Sequence, residues 1–199
     1  MTTTGGTPSR TARVVTEVCS PAVVVILLPL AVAWHATGYQ LGRTVLWGLV
    51  VAVFSSVLPM MFIVRGARLG RWDGHHVRNR DGRTVPLLLG LGSTALGLAI
   101  LLLGRAPQDV TALDVAMLVT LFACTIVTRW WKISLHSAVA GGAVATLVLL
   151  YGPFFLVLVP FVGLIGWSRV AVRDHTVAQV IAGALIGPIL GGAVFLLVR

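Results

Sequence analysis

Three short stretches of this 199-residue chain hold side chains that can grip an anion and move protons: 65–85, 129–136 and 167–175. The last carries Ser168, Arg169, Arg173, Asp174 and His175 at the mouth of an apolar run. Guanidinium groups bind oxyanions through rigid forks of N–H donors, and lysine adds a compact point charge. Histidine works as nucleophile, acid or base near neutral pH. Arginine with histidine, repeated at separate places along a chain, therefore points to chemistry on an anion.

The remainder of the chain is apolar enough to dictate where such chemistry happens. Hydrophobic residues make up 57% and charged residues 11%, far below the roughly 25% charge of soluble domains. One globule cannot hide that much apolar surface, so the chain must face lipid. Net charge is +9, but the arginines fall between apolar segments, which reads as membrane topology and not as a nucleic-acid surface. Cys19 and Cys124 lie within apolar runs and suggest neither a disulfide framework nor a thiolate metal site. Residues 1–13 read as a polar, cytoplasmic lead-in and not as a cleavable signal.

A spanning helix needs about 20 mainly apolar residues. The candidates are 14–36, 44–66, 86–104, 111–128, 136–151, 153–167 and 175–198. The fifth and sixth are short and meet at Tyr151-Gly152-Pro153, as a tight helical hairpin or as one broken helix. The expectation is an all-α, polytopic transmembrane bundle of six to seven spans, a single domain over 14–199. Glycines recur at helix spacing at 90, 97 and 104, at 141–142, and at 183, 187 and 191, and small residues let helices approach closely in lipid. Each polar stretch follows an even number of spans, so all three emerge on one face. Ionisable residues near a bilayer are costly and mark candidate sites.

These stretches carry a resemblance. Ser168-Arg169, five residues, then His175 is similar to the third motif of the type 2 phosphatidic acid phosphatase superfamily, the membrane lipid phosphatases related to vanadium haloperoxidases. "KISLHS" at 132–137 resembles that family's Pro-Ser-Gly-His motif and keeps Ser134 and His136. "RWDGHHVRNRDGRTVP" at 71–86 looks like its first motif, with His76 at the usual lysine and Arg83 at the arginine. The likeness, that of a diverged bacterial member, spans 71–187. Where the family has Asp four residues after the nucleophile the chain has Gln179, and Ile133 and Leu135 replace Pro and Gly.

The resemblance implies hydrolysis of a lipid or isoprenoid phosphate or diphosphate through a phosphohistidine, with no cofactor or metal. His175 would be the nucleophile and His136 the acid for the leaving oxygen. Arg169, Arg83, Ser134, Lys132 and His76 would hold the phosphate. Gln179, one turn beyond His175, would accept from its ring without adding charge. The departures from the motifs favour a second reading, a catalytically weak or inactive binder or carrier of lipid phosphates. A small transporter is the third, opposed by the lack of a charged residue in mid-span. The expected partners are the lipid or polyprenyl phosphate and membrane lipids, with no nucleic acid.

Simpler roles suit the rest. Arg173 and Asp174 read as an interfacial charge pair, Arg65, Arg68 and Arg71 as topology markers, and His75 as a solvated loop residue. Trp130, Trp131 and Trp167 read as interface anchors, and His35 as an interface histidine. Glu17 has no functional account. The basic residues around the first two spans place the site on the cytoplasmic face of the cell membrane.

Overall fold

The computed structural model describes residues 9–71 and 81–199. Ten α-helices, with short π and 3-10 turns between some of them, make up the described chain, and no strand occurs among the described residues. Ser9 accepts from the amide of Ala12 and starts α1, Arg10–Val18, so the helix begins four residues before the apolar run does. Pro21 at the first position of α2, Pro21–Ala36, marks the break after Cys19-Ser20. Then come α3, Leu41–Ala52, a π turn at Val53–Val57, and α4, Leu58–Arg68. After a 3-10 turn at Asp81–Arg83 follow α5, Thr84–Leu103, and α6, Gln108–Thr128.

Next are α7, Leu135–Tyr151, a 3-10 turn at Pro153–Leu158 and α8, Val159–Ala171. The chain ends in α9, Val177–Ile186, a second π turn at Gly187–Gly191 and α10, Gly192–Val198. Six helical stretches, Arg10–Ala36, Leu41–Arg68, Thr84–Leu103, Gln108–Thr128, Pro153–Ala171 and Val177–Val198, are long and apolar enough to cross a membrane. Leu135–Tyr151 is a shorter apolar helix between them.

Gly152, at φ 101°, reverses the chain, and α7 packs along α8. The two short segments are thus a hairpin and not one broken helix. Chain direction alternates from one stretch to the next, which gathers two sets of ends. One set, here the far face, is tied by polar contacts: Gln108 donates to the carbonyl of Val198, Tyr151 to that of Ala31, and Arg199 to that of Leu149. His35 and Arg199 both approach Asp109 there, at 3.7 and 3.3 Å, so His35 has an acidic neighbour. The other set carries the polar stretches.

Close helix contact follows from glycine. A Cβ at Gly187 would fall 2.0 Å from the carbonyl oxygen of Ala138, and one at Gly183 would fall 2.4 Å from that of Ser134. Only glycine lets α9 and the π turn after it lie this near α7, which sets the start of one helix beside the start of the other. The main core fills the far half: Val32, Ala33, Val51, Leu101, Val110 and Phe195 have no measurable exposure.

Candidate active site

Each site residue is placed by a local device. Ser134 is the N-cap of α7, its Oγ accepting from the amide of Ser137 at 3.4 Å and pairing with the Ser137 hydroxyl at 3.1 Å. This cap puts His136 in the first turn of α7. Thr176 caps α9: its hydroxyl accepts from the amide of Gln179, and the Gln179 Oε1 accepts from the amide of Thr176 at 3.2 Å. The predicted span 175–198 accordingly starts two residues later, at Val177, and His175 stands just outside the helix. The amide of Ser134 donates to the carbonyl of Gln179, which joins the two caps.

Arg83, His136, Arg169 and His175 come from stretches up to 92 positions apart in sequence, yet all line one cavity of about 600 Å³. All four are buried. Arg169 donates to Asp174 at 2.7 Å in a pair with almost no solvent contact. Asp174 therefore partners Arg169 from beneath, which corrects the expected interfacial pair with Arg173; Arg173 is exposed, at φ 61°. Arg83 donates to the carbonyl of Ile133 at 3.4 Å. Burial pushes the Arg83 guanidinium down to about 10; the nearby charge of Arg169 pushes the same way and Asp174 opposes it. Two guanidiniums that repel each other across a buried space form a socket for an anion.

His175 faces the same positive field. Burial first, then Arg83, Lys132 and Arg169, push its pKa down to about 3, against the hydrogen bond to Gln179. The ring is neutral at physiological pH. Its Nδ1 lies 3.1 Å from Gln179 Oε1. That amide atom must be oxygen, because the Thr176 backbone N–H pointing at it can only donate. Nδ1 consequently carries the ring proton, and the lone pair is left on Nε2. Gln179 does hold the ring as the sequence spacing suggested, while also completing the helix cap.

Other expected residues lie elsewhere. Lys132 donates to the backbone carbonyl of Asp174 and acts on the cavity through its charge. Ser134 has no exposure and is not on the cavity wall; its hydroxyl is occupied by the cap. His76, His75 and Arg78 fall outside the described residues. Trp130, Trp131 and Trp167 are exposed apolar surface at this end.

Three residues were missed. Asp174 was assigned to the wrong partner, although it sits directly after the end of the helix that carries Arg169. Glu17 lines the cavity from α1, which packs on α8, where Thr16 donates to Ser168 at 3.1 Å. Asp114 is wholly buried inside α6, with Ser55 donating to its Oδ1 at 3.0 Å. It is an ionisable residue seven positions into a spanning stretch, set against the expected lack of a charged residue in mid-span. Its signal was available: a carboxylate seven residues into an otherwise apolar helix is a site candidate by default.

No family model, curated protein or solved structure matches the chain.

Proposed function

We propose that the protein is an integral-membrane phosphatase acting on a lipid or isoprenoid phosphate or diphosphate. The observation that carries this reading is the neutral His175, with Nδ1–H held by Gln179 and Nε2 free to act, beside the guanidiniums of Arg83 and Arg169 in one cavity. The phosphoryl oxygens sit between the two guanidiniums, which offset the charge that builds during attack. The Nε2 lone pair forms a bond to phosphorus, and the bond from phosphorus to the lipid oxygen breaks. The leaving oxygen takes a proton from His136 and departs as the alcohol, or as the monophosphate from a diphosphate. Water, giving a proton to the now neutral His136, then attacks the phosphohistidine, releases phosphate and returns Nε2 to its starting state. Lys132 adds positive potential, and Ser134 acts through the cap that places His136. The apolar lower walls, among them Met60, Leu87, Val139 and Leu121, accept the tail.

The test is phosphate release from a panel of lipid and polyprenyl phosphates by the purified protein and by His175→Ala. A loss of about a thousandfold or more is expected for a covalent nucleophile. Equal release by both would sink the enzyme reading; equal binding of the lipid without release would favour the carrier.

Arg10, Arg13, Arg65, Arg68 and Arg71 lie at the site-side ends of the first two spanning stretches, and this bias supports a site that faces the cytoplasm. Single cysteines replacing Leu69 and Tyr39, both exposed at opposite ends, test it in a background lacking Cys19 and Cys124. An impermeant thiol reagent on intact cells should label position 39 and spare 69; the reverse labelling puts the site outside.

A further inference from the structure

The cavity is blind at its inner end. On its walls the lining residues give way, one turn further on, to the main core. Leu28 on α2 is followed by Val32, and Leu113 on α6, read back along the chain, by Val110; neither valine has measurable exposure. Thr146 on α7 is followed by the buried Leu150. Leu28, Leu113, Ala116 and Ala143 belong to the core cluster and to the cavity wall at once, which makes them the floor.

The sides are seamed above that floor. Ser56 in the first π turn donates to the carbonyl of Ala22 on α2 at 3.0 Å, and Ser93 on α5 donates to that of Phe54 in the same turn. A Cβ at Gly90 on α5 would meet Leu121 of α6 at 3.4 Å. Gly191, the last residue of the second π turn, comes against Thr120 of α6, and that turn lies along α7, which packs on α2. These seams complete a ring, so a chain entering beside the histidines runs inward along the bundle and stops. Its depth follows from the walls. His136 and Thr146 both line the cavity, ten positions apart on α7, which is about 15 Å at the helical rise. An extended chain advances about 3.3–3.6 Å for every three bonds, so that depth holds about a dozen carbons.

We propose that this floor is a ruler for the tail: the site takes an amphiphilic phosphate whose chain is no longer than about a dozen carbons, or about three isoprene units, and refuses longer ones. The proposal rests on the reading of the mouth as an anion site, since the phosphate must be held there for the tail to be measured. Selection works by exclusion. In lipid a tail gains little per carbon by leaving its neighbours for an equally apolar cavity, so chains that fit bind alike. The first carbon too many must displace Leu28, Leu113 or the core behind them, and overfilling a packed interior is unfavourable. Ala116 and Ala143 keep the floor low, because a larger side chain at either position would occupy the space where the tail ends.

Full-length protein in nanodiscs is titrated calorimetrically with octyl-, decyl-, dodecyl-, tetradecyl- and hexadecylphosphonate, none of which can be hydrolysed. Each affinity is referred to the probe's mole fraction in the bilayer, measured with empty nanodiscs. The affinities should agree within about threefold up to dodecyl and fall about tenfold or more by hexadecyl. Ala116→Leu, with a side chain longer by about two carbons, should move the fall about two carbons shorter and leave octylphosphonate unchanged; Leu113→Ala should move it about two carbons longer. Shifts in opposite directions cannot come from damaged folding, which would weaken every probe in both variants. Affinity that holds or rises through hexadecyl overturns the ruler and leaves the anion site standing. A fall at one fixed length in wild type and both variants also overturns it, since the limit then lies away from this floor. If no probe binds at any length, the anion reading fails and the ruler fails with it.

Discussion

The bundle is hollow towards the site face and filled towards the far face, and both halves are made of the same helices. Leu28, Leu113, Ala116 and Ala143 form the border, since they line the cavity on one side and belong to the main core on the other. The two halves use charge differently. At the far face, Asp109 meets Arg199 and His35 with a fifth to a third of each side chain exposed, so water shares the work and the contacts stitch helix ends together. At the site face, Arg169 and Asp174 are almost fully buried, and a second guanidinium lies close by with Ile133's carbonyl as its acceptor. Stability alone would not select that arrangement, because burying two ions costs about as much as their attraction returns. The proposed anion site gives it a reason, since positive charge then has to be held in place before the anion arrives.

This contrast is open to direct attack. Arg169→Ala removes the buried cation that Asp174 is paired with, and should lower unfolding free energy by about 3–5 kcal/mol in a reversible denaturation assay. Arg199→Ala, removing the half-exposed partner of Asp109, should cost about 1 kcal/mol or less. Equal losses at the two sites would mean that the site pair is solvated and that the halves do not differ.

Helix spacing gives the next largest effect. Gly187→Val must push α7 and the turn after α9 apart, since even the first carbon has no room. A loss of about 1–3 kcal/mol is expected, with any activity falling further because His136 and His175 separate. Gly163→Val, whose Cβ meets nothing within 4 Å, should be neutral by the same thermal measurement. A neutral Gly187→Val would show that the close approach is not needed.

Gln179 sharpens the comparison within the site. Gln179→Leu removes both the ring acceptor and half of a capping box, so phosphate release should fall about tenfold or more for a loss near 1 kcal/mol in stability. Gln179→Asp restores an acceptor, adds charge, and should hold or raise the rate. Leucine at wild-type rate would reduce position 179 to packing.

The pH profile probes the same surroundings through a proton. With its pKa pushed down to about 3, His175 stays neutral in the folded chain while the same residue in the unfolded chain protonates near 6.5. The unfolded state therefore binds the extra proton, and this residue's contribution makes the fold less stable as pH falls from about 6.5 towards 3, then levels off. His175→Gln should flatten that slope. In ¹⁵N spectra of labelled protein the ring should remain the Nδ1–H tautomer at pH 5; titration near pH 6.5 would contradict the buried, positive surroundings.

Much of the architecture was legible because lipid leaves few options: apolar runs of spanning length, small residues at helical spacing and polar breaks between them set the bundle. The alternation of chain direction followed, and with it the meeting of Arg83, His136, Arg169 and His175. What stayed hidden depends on distances that pattern cannot carry. Asp174 has Arg173 beside it in sequence, but the turn after α8 swings it beneath Arg169. Ser134 has the right residue type for a phosphate donor, yet sits where α7 needs a cap. Asp114 stands out by its type alone, but its partner Ser55, 59 positions away, is brought to it only by the fold.

The hairpin reversal at Gly152 bears on the bilayer itself. Helix α7 has 17 residues, about 26 Å at the helical rise, against a hydrocarbon thickness near 30 Å. Hydrophobic mismatch of a few ångströms is relieved by local thinning or by sinking one end of the short helix. His136 is the second residue of that helix, so either response brings it level with or below the lipid headgroups. A membrane of different thickness would then shift the depth of the histidine, which makes lipid composition a physical variable of the site.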